Sequence, residues 1–212
     1  MIQWVILICF CLFGYFCGSL PTGYLIAKKK GIEIQKIGSG ATGATNVSRA
    51  LGLKFGALTS IVDVFKSWLP VFLATLLFTE NWMVFLVAIL VILGHIFPVW
   101  LRFKGGKGVV CLIGILLALD FRLVLFWVLT WLVIFAILLI STRVSKASFS
   151  EKMATNNLLT IWYLPVLVWF VSGGSEEVIF AFILVGIIYF AHRENIMRIK
   201  EIWKKTKKKR PD

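Results

Sequence analysis

The chain has 212 residues, of which 59% are hydrophobic and only 16% are charged, and its formal net charge is +13. Soluble domains carry roughly 25% charged and about 45–50% apolar residues, so this composition excludes an ordinary soluble domain and also a disordered chain. The four cysteines lack the spacing framework of a disulfide-stapled secreted module. An integral membrane protein remains.

Uncharged stretches predict the membrane-spanning helices, because a helix needs about 20 mostly apolar residues to cross the hydrocarbon core. Residues 1–27 carry no charge and lack the basic start of a secretory signal, so they are interpreted as an uncleaved spanning helix. Further candidate spans are 81–101, 108–119, 123–142, 153–175 and 178–191, and 55–79 qualifies if Asp63 and Lys66 are tolerated within it. Segments 108–119 and 178–191 are short, so they cross only by tilting, by thinning the bilayer or by including their flanks.

Lysine and arginine are concentrated in four of the connecting segments, and such residues accumulate on the cytoplasmic side of a membrane. This distribution predicts an all-α protein with about seven transmembrane helices, its N-terminus outside and its C-terminus cytoplasmic. We expect one polytopic membrane domain over 1–203 and a basic cytoplasmic tail over 204–212 that contacts anionic headgroups. Its glycine-rich cytoplasmic loops are predicted at 28–54, 102–108, 142–152 and 192–203.

The first polar cluster has the sequence GSGATGATNVSR and covers residues 38–49. Glycines let backbone N–H groups converge on a phosphate, hydroxyl groups add donors, and arginine adds a bidentate fork. The glycines are Gly38, Gly40 and Gly43, the hydroxyl residues are Ser39, Thr42 and Thr45, and the arginine is Arg49. The cluster predicts an anion cradle, with a flexible surface loop as the alternative. It is not a Walker loop, because no Gly-Lys-Ser/Thr follows.

A second glycine cluster, in residues 94–108, places Lys107 between Gly106 and Gly108. Polar stretches also occur at 141–148 and 191–198. Because the predicted topology puts all four clusters on the same side, we expect one interfacial site with several anion-binding donors.

Two opposite charges, Asp63 and Lys66, lie three residues apart on one face of the second predicted span. Charges at that depth pair with each other or face the interior of a helix bundle. An ion pair that fixes helix packing is one interpretation, and direct chemistry by Asp63 is the other. His95, near the cytoplasmic end of the third span, is expected to pack or cap a helix rather than to act as a base.

Several motifs together resemble the bacterial acyl-phosphate:glycerol-3-phosphate acyltransferase family, PlsY. They are, in chain order, GSLPTGYLI, GSGATGATNVSR, DVFK, GHIFPVWLRFKGGKGV, TRVSKAS and HRENIMR. The resemblance implies a bacterial inner-membrane enzyme of seven spans with a cytoplasmic active site. Such an enzyme transfers a fatty acyl group from acyl phosphate to the 1-hydroxyl of glycerol 3-phosphate and releases lysophosphatidic acid and phosphate.

The resemblance also implies site residues. The catalytic set is Ser39, Arg49, Lys107, His192 and Asn195, in which Arg49 and Lys107 clamp the glycerol phosphate. The substrate-binding set is Gly38, Gly40, Gly43, Thr45, Asn46, Lys104, Gly105, Gly106, Gly108, Ser145 and Ser148. The expected partners are acyl phosphate, glycerol 3-phosphate and membrane lipid. No cofactor, metal or nucleic acid is expected.

The sequence departs from the family pattern at three places. Ala41 and Ser67 stand where the family usually has Asn and Gly, and residues 199–203 replace its C-terminal Gly-x-Glu signature. Two alternatives therefore accompany the enzyme interpretation. One is a small membrane transporter of anions or organophosphates, and the other is a paralogue with a changed substrate or lost activity.

Overall fold

The computed structural model describes residues 1–140 and 149–197, and within these ranges it contains helices, turns and loops but no strand. The α-helices are α1 (Ile2–Ser19), α2 (Thr22–Lys29), α3 (Ala44–Leu51), α4 (Leu53–Leu77), α5 (Asn81–Ile96), α6 (Val109–Leu119), α7 (Phe121–Ile140), α8 (Phe149–Ser172) and α9 (Ser175–Ala191). Short 3-10 turns occur at Ile34–Lys36 and Val99–Leu101. The prediction of an all-α chain is confirmed.

Several of these helices have the length and composition of membrane spans. Five stretches of the described residues qualify: Ile2–Lys29, Leu53–Leu77, Asn81–Leu101, Phe121–Ile140 and Lys152–Ser172. Helices α6 and α9 are also apolar but shorter, with 11 and 17 residues. The exposed side chains of the long helices are largely Leu, Ile, Val, Phe and Trp, as expected of surfaces that face lipid.

Two predicted boundaries differ from the structure. The first span, 1–27, is interrupted, because α1 ends at Ser19 and α2 begins only after Pro21; proline lacks an N–H and its ring opposes helix continuation. The segment 28–54, predicted as a loop, contains α3. It folds because Val47 of α3 packs with Ala27 and Ile34 in a fully buried apolar cluster.

Residues Met1–Val124 form one compact unit, in which α1 packs along α5. Glycines make this close approach possible. A Cβ added to Gly18 would overlap the Val91 carbonyl, and one added to Gly94 would overlap the Tyr15 carbonyl. Small residues spaced like Gly14 and Gly18 are typical of helix contacts in membranes.

Helix α4 lies at the centre of the first unit and contacts α1, α3, α5 and α6. Gly114 of α6 approaches it so closely that a Cβ there would overlap Ser67 Oγ and the Val64 carbonyl. Ser67 is fully buried, and its hydroxyl donates to the Asp63 carbonyl at 2.8 Å. The serine at this position is therefore accommodated, because the facing residue has no side chain.

The second compact unit begins at Leu125 and contains α8, α9 and most of α7. Polar side chains join its helices. Trp131 Nε1 donates to Asn157 Oδ1 at 2.8 Å, Asn156 Nδ2 donates to the Trp131 carbonyl at 3.1 Å, and the Tyr189 hydroxyl donates to the Leu158 carbonyl at 2.7 Å. Hydrogen bonds of this kind stabilise helix association in lipid.

Candidate active site

One buried side chain, Asn46, organises the first glycine segment, defined as residues 38–46. It is 2% exposed and lies in the first turn of α3. Its Nδ2 donates to the carbonyls of Ile34 (3.3 Å), Ile37 (2.9 Å) and Ala41 (2.9 Å), and its Oδ1 accepts from the Ser39 N–H (3.3 Å) and Arg49 Nη1 (2.7 Å). The segment is therefore folded onto the start of α3 rather than free on the surface.

The same contacts place Arg49 beside Gly38. Arg49 is exposed on α3 and uses one guanidinium nitrogen to hold Asn46. A Cβ on Gly38 would overlap that guanidinium and the Asn46 amide, and Gly38 also has a φ of +58°. Only glycine fits there without strain. Ser39, the next residue, is half-buried in the turn next to Arg49.

The second glycine segment, defined as residues 104–108, is held by backbone against the end of α5. The Gly105 N–H donates to the Ile96 carbonyl at 3.1 Å, and the Gly106 N–H donates to the His95 carbonyl at 3.0 Å. A Cβ on Gly105 would overlap the His95 carbonyl, and one on Gly106 would overlap the His95 ring. Both glycines are needed for this close approach.

These hydrogen bonds differ from the expectation that the glycines offer N–H donors to a phosphate. The N–H groups of Gly105 and Gly106 already donate to α5, and that of Gly40 donates to the Ile37 carbonyl at 2.9 Å. The three glycines therefore shape the two segments. In contrast, the N–H groups of residues in the first turn of a helix have no intrahelical partner. Thr45, which is exposed in the first turn of α3, keeps this capacity.

One hydrogen bond joins the two glycine segments, and another joins Gln35, just before the first segment, to the second. The Thr42 N–H donates to the Gly105 carbonyl at 3.3 Å, and Gln35 Nε2 donates to the Lys104 carbonyl at 3.1 Å. Residues about 60 positions apart in the sequence thus lie side by side. The structure thus brings the backbones of the two segments together.

The chain enters the second segment in an unusual backbone conformation. Arg102 and Phe103 have φ angles of +51° and +61°, in the left-handed region that side-chain-bearing residues rarely adopt. The Phe103 N–H donates to the Pro98 carbonyl at 3.0 Å, which fixes the turn. Lys104 is then exposed, Lys107 is half-buried, and Gly108 caps the N-terminus of α6 with a φ of +86°.

The remaining predicted site residues belong to the second unit or lie outside the described residues. His192 is 1% exposed and caps the C-terminus of α9. Its Nδ1 lies 2.9 Å from the Ile188 carbonyl, and because a carbonyl only accepts, Nδ1 carries the proton in this contact. Asn195 is half-buried in the following helical turn. Ser145 and Ser148 lie outside the described residues.

Five buried polar side chains near the glycine segments are absent from the predicted catalytic and substrate-binding sets: Ser19, Thr42, Asp63, Lys66 and His95. Asp63 Oδ1 and Lys66 Nζ are 2.7 Å apart, with side chains 3% and 4% exposed. The interpretation of these charges as an ion pair is confirmed. The spacing of the two charges could not predict that Lys66 also donates to a backbone carbonyl, that of Leu20.

The family assignment follows from comparison with known proteins. A family model for glycerol-3-phosphate acyltransferase matches residues 8–201. The chain belongs to this family. The acyltransferase is 38% identical over 190 residues to a glycerol-3-phosphate acyltransferase of Aquifex aeolicus, covering 89% of this chain and 92% of the relative. A relative of the same name from Thermus thermophilus is also 38% identical over 190 residues, covering 90% and 89%.

Solved structures give the same result. The acyltransferase resembles crystal structures of PlsY, an integral membrane glycerol 3-phosphate acyltransferase, in a glycerol 3-phosphate form and a lysophosphatidic acid form. The TM-scores are 0.81 and 0.78 at 31% sequence identity, and each match covers 92% of both chains. The resemblance to this family is thereby confirmed, and the protein is a membrane acyltransferase.

Proposed function

We propose that the enzyme transfers a fatty acyl group from acyl phosphate to the 1-hydroxyl of glycerol 3-phosphate. The observation that carries this proposal is the joining of the two glycine segments in a member of this family, with Arg49 held by Asn46 of the first segment and Lys104 and Lys107 in the second. Both substrates are phosphate esters or anhydrides, so their site needs several cationic and N–H donors close together. The solved PlsY structures hold glycerol 3-phosphate and lysophosphatidic acid, an acceptor and a product of this reaction.

The proposed roles of the side chains are those that the family resemblance implies. Arg49 and Lys107 bind the phosphate of glycerol 3-phosphate, with Lys104 beside them. Gly38, Gly40, Gly43, Thr45 and Asn46 shape the loop that receives the acyl phosphate, and Gly105, Gly106 and Gly108 shape the second segment. Ser39, His192 and Asn195 complete the catalytic set, and Ser145 and Ser148 add donors to substrate.

In the reaction, the 1-hydroxyl oxygen bonds to the acyl carbonyl carbon and the bond from that carbon to the phosphate oxygen breaks. The hydroxyl proton passes to the departing phosphate, so the products are lysophosphatidic acid and inorganic phosphate. No acyl-enzyme is formed. Catalysis then consists of positioning both anions and stabilising the tetrahedral oxyanion with fixed donors.

The membrane arrangement is part of the proposal. Seven helices, α1 and α4 to α9, cross the inner membrane of a bacterial cell, with the N-terminus outside and the C-terminus in the cytoplasm. Residues 1–203 make up a single polytopic domain, and 204–212 form a basic tail. The concentration of Lys and Arg in every second segment between the spans supports this arrangement, because such residues accumulate on the cytoplasmic side. Both glycine segments belong to these basic connections.

The direct test is acyl transfer by the purified protein in detergent or lipidic mesophase. Palmitoyl phosphate and glycerol 3-phosphate are supplied, and phosphate release and lysophosphatidic acid are measured together, with acyl-CoA and acyl carrier protein thioesters as alternative donors. Equal amounts of both products from acyl phosphate alone are expected. Product from a thioester donor would change the donor assignment, and organophosphate flux into vesicles without acyl product would favour a transporter.

A further inference from the structure

A buried polar cluster lies in the first unit, consisting of Ser19, Thr42, Asp63, Lys66 and His95. Each member is at most 6% exposed. The cluster lines a narrow crevice together with Leu20, Pro21, Thr22 and Pro98. Its two charged members have no role in the proposed reaction.

Lys66 connects α4 to the break between α1 and α2. Its Nζ lies 2.7 Å from Asp63 Oδ1 and donates to the Leu20 carbonyl at 2.6 Å. Pro21 has no N–H, so the helical ladder is interrupted at this point. The ammonium group supplies a charged donor to the carbonyl at the break, and Asp63 balances its charge in a dry environment.

The break is in direct contact with the first glycine segment. Gly23, in the first turn of α2, is so close to that segment that a Cβ would overlap the Thr42 carbonyl and press on the Val47 side chain. The Thr42 N–H in turn donates to the Gly105 carbonyl. The position of α2 therefore sets the position of Thr42, through which the two glycine segments are joined.

His95 links the crevice to the second glycine segment. His95 lines the crevice, its ring covers Gly106, and its carbonyl accepts the Gly106 N–H. Ser19 Oγ is fully buried and has no hydrogen-bond partner within the described residues, although it also lines the crevice. An unsatisfied buried hydroxyl is costly.

We propose that Lys66 is a positioning residue of the acyltransferase. Through the Leu20 carbonyl it fixes the break between α1 and α2, and through α2 it fixes the spacing of the two glycine segments. It does not touch substrate. Only the kinetic part of this inference rests on the proposed function, because hydrogen exchange in the two segments can be measured without substrate.

A matched pair of variants tests the inference: Asp63→Asn, and the double variant Asp63→Asn with Lys66→Met. The first keeps the donor to the Leu20 carbonyl but leaves the ammonium group without its carboxylate, which lowers stability and not the position of the segments. The second removes the donor together with both charges. We expect Asp63→Asn to stay within about threefold of the wild-type KM for glycerol 3-phosphate. The double variant should raise this KM at least about tenfold, since both segments carry phosphate-binding residues.

Hydrogen exchange provides the readout that does not depend on activity. In the double variant, the amides of Thr42 and Gly106 should exchange at least about tenfold faster than in Asp63→Asn, while amides in α9 stay unchanged. KM does not depend on the amount of folded enzyme, and it is therefore measured in membranes as well. If the wild type transfers no acyl group, the proposed function fails and the exchange data still decide the inference.

Three results would overturn the inference. One is a double variant with wild-type KM and exchange. Another is an equal change in both variants, which would assign the effect to Asp63 alone. The third is a double variant without folded protein beside a folded Asp63→Asn, which would make Lys66 a residue required for folding rather than for positioning.

Discussion

The two glycine segments lie side by side but are held in different ways. The first is held by one amide, Asn46, which reaches three carbonyls and one backbone N–H of the loop. The second is held by its own backbone, which lies on the end of α5 because Gly105 and Gly106 have no Cβ. The first segment therefore depends on a side chain that is present, and the second depends on side chains that are absent.

The largest effect is expected from Asn46→Ala. It removes the Asn46 hydrogen bonds that hold the first segment and takes from the Ala41 carbonyl its donor, whereas the Ile34 and Ile37 carbonyls keep backbone N–H donors, so the free energy of unfolding should fall by about 3 kcal/mol. Thermal unfolding in detergent measures this loss. Asn46→Asp, which keeps the acceptor but loses the donor, should retain the Arg49 contact yet lose most of the same stability. An unchanged melting temperature for both variants would contradict the comparison.

Ser39→Ala and Lys107→Ala test the proposed chemistry of the two segments separately. Each should lower acyl transfer at least about 10²-fold, the scale of losing one transition-state donor, and neither should change thermal unfolding much. The measurement is kcat/KM with palmitoyl phosphate and glycerol 3-phosphate. Full turnover in both variants would remove these residues from the active site.

Gly106→Ala tests the second segment. The added methyl group must displace the buried His95 ring, which should destabilise the protein by about 1–3 kcal/mol and also weaken acyl transfer. The control is Gly186→Ala in α9, where an added Cβ meets open space. That change should be neutral or stabilise the helix by about 1 kcal/mol. Equal melting temperatures of the two variants would show that the second segment tolerates a Cβ.

The smallest effect is expected outside both segments, at the turn between α6 and α7. The hydrogen bonds from Arg122 hold the pKa of the Asp120 carboxyl below its usual value of 3.8. A depressed carboxyl pKa stabilises the fold above the unfolded-state pKa, and this contribution is lost as the pH falls through the folded-state pKa. Asp120→Asn should therefore leave activity at pH 7 unchanged and reduce the loss of stability below about pH 3.8. Thermal unfolding between pH 3 and 7 measures the difference.

Much of the fold could be predicted from composition and spacing. The uncharged stretches correspond to α1 and α4 to α9, because lipid tolerates few charges in a spanning helix. The break at Pro21 and the folding of 44–51 into α3 could not be placed in this way. The break follows from proline chemistry, which hydropathy does not register, and Lys66 donates to the Leu20 carbonyl there. Helix α3 depends on tertiary packing, because Val47 packs on Ala27 and Ile34.

The candidate site was predictable as a set of residues but not as an arrangement. Glycine and basic residues in 38–49 and 104–108 predict a phosphate site, because residue type alone determines which groups can bind an anion. Which N–H groups are already used is not visible, and those of Gly40, Gly105 and Gly106 donate to the protein itself.

By itself, the sequence determined that the protein resides in a membrane, that its helices are apolar, and which of its polar segments are rich in anion-binding groups. Hydropathy and charge act locally along the chain, so they can be read from it directly. Only the tertiary structure decided that Asn46 holds one glycine segment, that α5 holds the other, and that Lys66 reaches the break at Leu20. The Asn46 contacts form only when the loop folds onto the start of α3. The other contacts join more distant parts of the chain, and they form only when the helices pack.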